Sequence, residues 1–196
     1  MTRSVRRAGR ASIAALVLAV AATGCSAGSD EPDSAAPPSA TATDKDQPLE
    51  TKVSLGKVTG RLAPEARRRL TKQVGDVVDG WTDAAYLGTD YPRRDFSDVW
   101  PDFTAGAKQE AHGDRALMSN EDIGDRIDGV TGRRRVVRID VLAVKKRPVG
   151  VTAHVFLGFR TTGKVEKVVQ VKGRLFLTHT ERGWKVFGYD MTKGAV

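Results

Sequence analysis

The sequence has little of what builds covalent or metal-bound cross-links. Its 196 residues include one cysteine and three histidines. A single cysteine cannot form an internal disulfide or a cysteine-based metal cage, and three scattered histidines do not suggest a metal site. Long hydrophobic runs are also missing, since the only strongly apolar stretch is short and lies near the start, which excludes a protein with several membrane spans. The length favours one folded domain.

The start of the chain has the layout of an export signal. Four arginines within the first ten residues form a positive head, and an uncharged apolar stretch follows over residues 11–22. This order is typical of a secretory signal peptide, here residues 1–24. The stretch is shorter than the roughly 20 residues that a transmembrane helix needs, so we do not expect a permanent membrane span. The alternative to a signal peptide is a buried core helix. Small residues follow the Arg6-Arg7 pair, which favours general secretion over the twin-arginine route.

The only cysteine lies shortly after this apolar stretch. Ala22, Thr23, Gly24 and Cys25 together resemble the bacterial lipobox, although the lipobox usually has leucine at the place of Ala22. The resemblance implies a diacylglyceryl group on Cys25, and two acyl chains give stable membrane attachment. We therefore expect a lipid-anchored protein at the outer, extracytoplasmic face of the cell membrane. The alternative is ordinary signal cleavage that leaves a free thiol.

A polar segment follows the cysteine. Residues 26–50 are rich in serine, alanine, proline and acidic residues, and Leu49 is their only sizeable apolar side chain. Such a composition cannot bury enough apolar surface to fold. We expect a disordered tether over residues 25–58 that lifts a domain off the membrane, with a loosely packed terminal arm as the alternative.

The pattern after the tether predicts an α+β domain over residues 59–196. Pro64 suits the first turn of a helix because its missing N–H costs nothing there, and apolar residues recur at helical spacing to about residue 86. Helices followed by a curved antiparallel meander make an α+β fold. The remaining expected elements are short helices at 95–100 and 103–111 and strands at 136–144, 149–160, 165–178 and 184–191.

This order of elements resembles the nuclear transport factor 2-like superfamily, which includes SnoaL-like proteins and actinobacterial lipoproteins. The resemblance covers residues 59–191. Its most telling part is the pair of runs 173–178 and 183–190, which look like the last two strands of the family's cone. The resemblance implies amphipathic helices packed on a curved, cystatin-like sheet with a pocket between them, and it carries no catalytic residue with it.

Candidate catalytic groups are few. Alternate residues of a strand face opposite sides of a sheet, so His154 is expected on the outer face. No strand before the last one is expected to place an acidic or basic side chain on the inner face. Asp190 shares the parity of Trp184 and Val186, so it is expected at a cavity mouth, with a capping or salt-bridge role as the alternative. No phosphate-binding glycine loop, nucleophile elbow or paired-carboxylate motif is present, and no cofactor is expected.

A second candidate set surrounds the end of the first predicted helix. Tyr86, Tyr91 and Asp95 lie where similar folds border their pocket. A tyrosine beside an aspartate can donate and accept protons on a small ligand. The alternative is that the aspartate caps a turn and the tyrosines pack in the core.

Compact basic clusters are the other candidate surface. Outside the cell they can meet anionic lipid headgroups or acidic wall polymers, where each basic residue contributes about 1 kcal/mol. A solvated face is the alternative, and the export signal disfavours nucleic acid as a partner. The clusters are residues 67–69, then Arg133, Arg134 and Arg135, then Lys145, Lys146 and Arg147.

These features predict a membrane-anchored lipoprotein that binds an envelope protein or a small apolar ligand without catalysis. The first alternative is a SnoaL-like enzyme of isomerase, dehydratase or cyclase type that acts on a small hydrophobic substrate. The second is an interaction module that docks to the envelope through its basic face.

Overall fold

The computed structural model describes residues 49–196, so the expected export signal, the lipobox and Cys25 lie outside the described residues. Its strands are β1 (Thr51–Thr59), β2 (Ile127–Val144), β3 (Arg147–Gly163), β4 (Val168–Thr180) and β5 (Gly183–Ala195), and its helices are α1 (Pro64–Thr82), α2 (Ala105–Gly113) and α3 (Arg115–Met118). The strands form one sheet in the order β1-β2-β3-β4-β5. This architecture confirms the predicted α+β class. Within residues 49–196, no helix is both long and apolar enough to cross a membrane.

Helix α1 forms where the sequence predicts it. Pro64 lies in its first turn, and Glu65 places a negative charge near the positive end of the helix dipole. Buried side chains recur three or four residues apart, which turns one face of the helix toward the sheet. A single π-helical turn (Asp83–Leu87) continues α1, and Gly88 follows it. The buried apolar side chains include Leu70, Val74, Val77, Val78 and Trp81.

Strands β2 to β5 form the predicted antiparallel meander. Strands β2, β3 and β5 are longer than predicted, whereas β4 begins three residues later and ends two residues later than predicted. Only Lys145 and Lys146 join β2 to β3, and their φ angles of 49° and 64° lie in the left-handed region. A two-residue turn with both residues in this region is a type I′ turn, whose twist matches that of the flanking strands. The Lys145-Lys146 turn therefore forms the tip of a tight hairpin.

Alternation along the strands decides which face of the sheet is packed. The side chains at the odd positions of β3 from 151 to 159 are 0–5% exposed, whereas His154, which alternation predicts on the outer face, is partly exposed. The ring of Tyr86 lies 5.6 Å from that of Trp81 and 5.8 Å from that of Phe159. Aromatic rings from the helix side and the sheet thus meet in one core. The inner residues of β3 are Val151, Ala153, Val155, Leu157 and Phe159.

Strand β1 corrects the expected tether over residues 25–58. It pairs in parallel with β2, with Thr51 opposite Arg135 and Leu55 opposite Ile139. The folded unit therefore begins before residue 59. An edge strand leaves much of its surface exposed, so its apolar pattern is too weak to be recognised beside a polar segment.

The helix expected over residues 95–100 is also wrong. The Asp95 carboxylate accepts hydrogen bonds from the backbone N–H and the hydroxyl of Ser97, at 2.9 and 2.7 Å. This local bonding stabilises a turn in place of a helix. The second short helix, expected over 103–111, is present as α2. The apolar residues of the segment 95–100 nevertheless belong to the core. The buried side chains are those of Phe96, Val99 and Trp100.

Replacing the turn lysines by Lys145→Asn and Lys146→Gly should stabilise the domain. A lysine in the left-handed region costs about 1 kcal/mol, whereas asparagine and glycine adopt this conformation readily. We expect the free energy of unfolding in urea to rise by about 1 kcal/mol. The matched control is Glu181→Asn with Arg182→Gly in the β4–β5 turn, where neither residue is left-handed. An equal gain in the control would contradict this account of the β2–β3 turn.

Candidate functional site

The structure gives Tyr86, Tyr91 and Asp95 separate roles. Tyr86 is fully buried, and its hydroxyl donates a hydrogen bond to the backbone carbonyl of Leu117 at 2.6 Å. The Tyr91 hydroxyl donates to the backbone carbonyl of Tyr86 at 3.1 Å. Burial raises the pKa of both tyrosines, which keeps their protons on these hydrogen bonds. Asp95 is exposed and bonded within its own turn.

Sequence reasoning does not identify Asn120, which joins the two tyrosines. Its side-chain amide donates to the backbone carbonyl of Tyr86 at 3.0 Å and to the hydroxyl of Tyr91 at 3.2 Å. Asn120 is buried and lies about thirty positions further along the chain, so no local pattern connects it with the tyrosines. The three side chains form a buried hydrogen-bond network that holds the end of the helical segment in place.

Asp190 lies on the outer face of the sheet, which corrects its expected place at a cavity mouth. The register between β4 and β5 shifts once, and Phe187 is the extra residue of a β-bulge. A bulge reverses the alternation of the residues beyond it, so Met191 is buried and Asp190 is exposed. On this surface the Asp190 carboxylate accepts a hydrogen bond from Arg174.

Arg135 is buried, which corrects its assignment to a basic surface. Only 4% of its side chain is exposed. Its Nε lies 3.0 Å from the Asp79 carboxylate and its Nη1 lies 2.5 Å from the Asp83 carboxylate. Nη1 also donates to the Thr82 hydroxyl at 2.7 Å, and Nη2 donates to the backbone carbonyl of Leu49 at 2.8 Å. The guanidinium is therefore occupied by partners inside the domain.

Thr51 completes the Arg135 network. Its hydroxyl accepts a hydrogen bond from Arg135 Nε and donates one to the Asp79 carboxylate at 2.5 Å. Burial raises the pKa of Asp79, although the hydrogen bond from Thr51 and the charge of Arg135 act in the opposite direction. The network joins β1, the end of α1 and the middle of β2, so its role is structural.

The two other basic clusters meet at one end of the domain. The β2–β3 hairpin tip and the first turns of α1 enclose a cleft of about 500 Å³, which we call the basic cleft. Arg69 from the first cluster and Lys146 and Arg147 from the other, far apart in the sequence, thus contribute to the same site. The lining side chains that matter below are Arg69, Lys146, Arg147, His179, Leu70 and Trp184.

The basic cleft carries unbalanced positive charge. Among the described residues, neither Arg69, Lys146 nor Arg147 forms an ion pair, and the acid in the lining, Glu65, is paired with Arg68 at 3.4 Å. The buried side chains of the lining supply an apolar floor. The volume lies within the range of about 300–1,000 Å³ that is usual for ligand pockets. The cleft therefore suits a partner that presents a carboxylate or phosphate group.

A histidine and an aspartate lie together on the outer face. His154 Nε2 is 2.9 Å from the Asp140 carboxylate, which also accepts a hydrogen bond from the backbone N–H of Lys57 at 2.8 Å. The bond from Lys57 is the main cause that lowers the pKa of Asp140. Alternation predicts the outward position of His154, but its partner depends on the register of β2 against β3. The hydrogen bonds of Asp140 to Lys57 and His154 link β1 to the sheet. Residues 49–196 contain no cluster suited to a metal ion.

Comparisons with known proteins assign no function to these sites. No family model matches the chain, and neither a curated protein nor a solved structure matches it. The functional conclusion therefore depends on the residues themselves.

Replacing Arg135 by methionine should destabilise the domain by about 3 kcal/mol. Methionine leaves two aspartates without their cation, and breaking a buried ion pair costs about 3–5 kcal/mol, reduced here because the aspartates are partly exposed to water. The matched control is Arg134→Met, since Arg134 is exposed and lies 5.6 Å from the ring of Phe156. We expect a change below about 1 kcal/mol for this control. Equal losses in urea unfolding would contradict the role given to Arg135.

Proposed function

We propose that the chain is an exported lipoprotein, anchored through Cys25 at the outer face of the cell membrane, whose domain binds an anionic partner without catalysis. The signal-like residues 1–24 and the lipobox resemblance of residues 22–25 support the anchor. The observation that carries the binding role is the basic cleft. Its three cations lie near an apolar floor and form no ion pair among the described residues, since the lining acid Glu65 pairs with Arg68. An acidic envelope protein is a partner of this chemistry.

We also infer a nuclear transport factor 2-like architecture for the domain. Support comes from the long amphipathic α1, which precedes an antiparallel meander and packs against it, as the resemblance implies. The rings of Trp81, Tyr86 and Phe159 occupy space between helix and sheet, where the resemblance implies a pocket. This filled core favours a partner at the surface over a small apolar ligand inside the domain.

A SnoaL-like enzyme is less well supported. General acid-base catalysis needs its groups within hydrogen-bond reach of one substrate position. Tyr86 and Tyr91 donate to backbone carbonyls, Asp95 stabilises its own turn, and Asp190 lies on the outer face with Arg174. These four candidates do not converge on one ligand position.

Cys25→Ala should remove both lipidation and stable membrane attachment. The thiol is the only side chain suited to a thioether with diacylglycerol, and two acyl chains are needed for stable anchoring. Intact mass and membrane fractionation in a bacterial host measure both effects. The control is Thr23→Ser, which keeps a small residue in the lipobox and should leave processing intact. An unlipidated, freely secreted wild type would refute the anchor.

Neutralising the basic cleft by Arg69→Gln with Arg147→Gln should weaken binding of a labelled poly-L-glutamate about tenfold. Two exposed ion pairs contribute up to about 1 kcal/mol each, and this contribution falls as salt rises. Fluorescence anisotropy at low and high salt measures the affinity for poly-L-glutamate and its dependence on salt. The matched control is Arg133→Gln with Arg134→Gln, which removes the same charge about ten residues along β2 from the hairpin tip. If both variants lose the same affinity, attraction to net charge explains binding and the cleft does not.

A further inference from the structure

The exposed large apolar side chains are concentrated at one place in the domain. Among the described residues, and apart from Val196, all of them lie at or near the hairpin end of the outer face, each 44–54% exposed. They are Leu142, Val144, Val149 and Phe187. The ring of Phe176 lies 6.3 Å from that of Phe187, and both line a shallow depression of about 340 Å³ together with Leu142. These five residues are called the hairpin patch below.

Two β-bulges contribute to the hairpin patch. Leu142 pairs with Gly150 and Ala143 with Pro148, so Val149 is the extra residue in β3, as Phe187 is in β5. A bulge re-aims a side chain out of the regular ladder. Here both extra residues are large and apolar, and both are exposed to water. Exposed apolar surface of this kind marks a site that a partner covers.

Cations outnumber acids around the hairpin patch, although the Asp140 carboxylate also lines the depression. Lys145 and Lys146 form the tip, and Arg147 lies directly opposite Val144 on the neighbouring strand. The guanidinium of Arg174, which is paired with the Asp190 carboxylate, lies 5.7 Å from the ring of Phe176. The tip lysines adopt left-handed backbone conformations that asparagine or glycine would adopt more readily. The turn therefore retains two positive charges at a conformational cost.

We infer that the hairpin patch docks onto an anionic lipid bilayer. Its apolar side chains enter the boundary between headgroups and acyl chains, and its lysines approach the lipid phosphates. Apolar residues beside lysine and arginine are the combination that interfacial binding uses, because both burial and charge attraction contribute. A second copy of the chain is a poorer occupant, since it would bring two basic hairpin tips together.

The bilayer also lies within reach of the domain, although this step rests on the proposed lipidation of Cys25. Leu49 is 24 residues beyond Cys25, and a fully extended chain spans at most about 3.5 Å per residue, or about 80 Å in total. An anchored domain therefore stays near the membrane, where even weak contacts become populated. The patch itself does not depend on lipidation.

The test uses the full chain with Cys25→Ala, which removes the only cysteine and with it the anchor. Val144→Cys then provides a unique position for a polarity-sensitive fluorophore, and Lys108→Cys on the exposed surface of α2 provides the control. Vesicles that contain phosphatidylglycerol should shift the emission of the label at 144 to the blue and leave the label at 108 unchanged. Vesicles of pure phosphatidylcholine should give a much smaller shift. Residues 1–24 are common to both labelled proteins.

Variants then separate charge from apolar contact. Lys145→Asn with Lys146→Gly, which keeps the turn, should lower the affinity for anionic vesicles about tenfold. Phe187→Ser, at an exposed position, should also lower it, whereas Arg133→Gln with Arg134→Gln should change it little.

Three results would overturn membrane docking. These are no shift of the label at 144 on anionic vesicles, an equal shift of the label at 108, and a shift without vesicles that grows with protein concentration. The last would identify a second copy as the occupant. Because the tested chain lacks the lipidated cysteine, failure here leaves the proposed anchor intact, and an unlipidated wild type leaves docking intact.

Discussion

One buried guanidinium organises the amino-terminal side of this domain. Arg135 stands in the middle of β2 and contacts the chain before β1, the first residue of β1 and the carboxylates at the end of α1. A buried cation is tolerated only where its donors are satisfied, so these segments must take up one arrangement together. Strand β1 buries little apolar surface of its own. Its position therefore depends on the Arg135 network and on the ladder with β2.

The elements that the sequence predicts well are those in which apolar periodicity is dense. Helix α1 and the four-stranded meander each bury a full face, and burial of apolar side chains decides both their type and their orientation. The sequence does not predict strand β1, because an edge strand is held more by backbone hydrogen bonds to its neighbour than by burial of its side chains. Arg135 shares the parity of the inward residues Val137 and Ile139, but the predicted strand begins only at residue 136, so alternation is not extended to the arginines before it.

The errors in the candidate site have equally specific causes. Counting alternate residues along β5 fails at Phe187, because one bulged residue exchanges the two faces beyond it. Tyr86 and Asp95 are close in sequence, yet each finds a nearer partner in the backbone or in its own turn. The basic cleft needs tertiary structure, since it forms only where the start of α1 meets the β2–β3 hairpin. The positive charge of these segments is evident from the composition, but their meeting at one cleft is not.

The parallel pairing of β1 has a mechanical consequence. β1 runs from Thr51, opposite Arg135, to Thr59, opposite Leu142 near the hairpin tip. A pull on residue 49 against a held hairpin end acts along the strands, so it loads the β1–β2 hydrogen bonds in shear, all at the same time. Peeling a strand from one end would break the same bonds one after another at lower force. The β1–β2 ladder of the described domain therefore resists tension from the amino-terminal side better than it resists peeling.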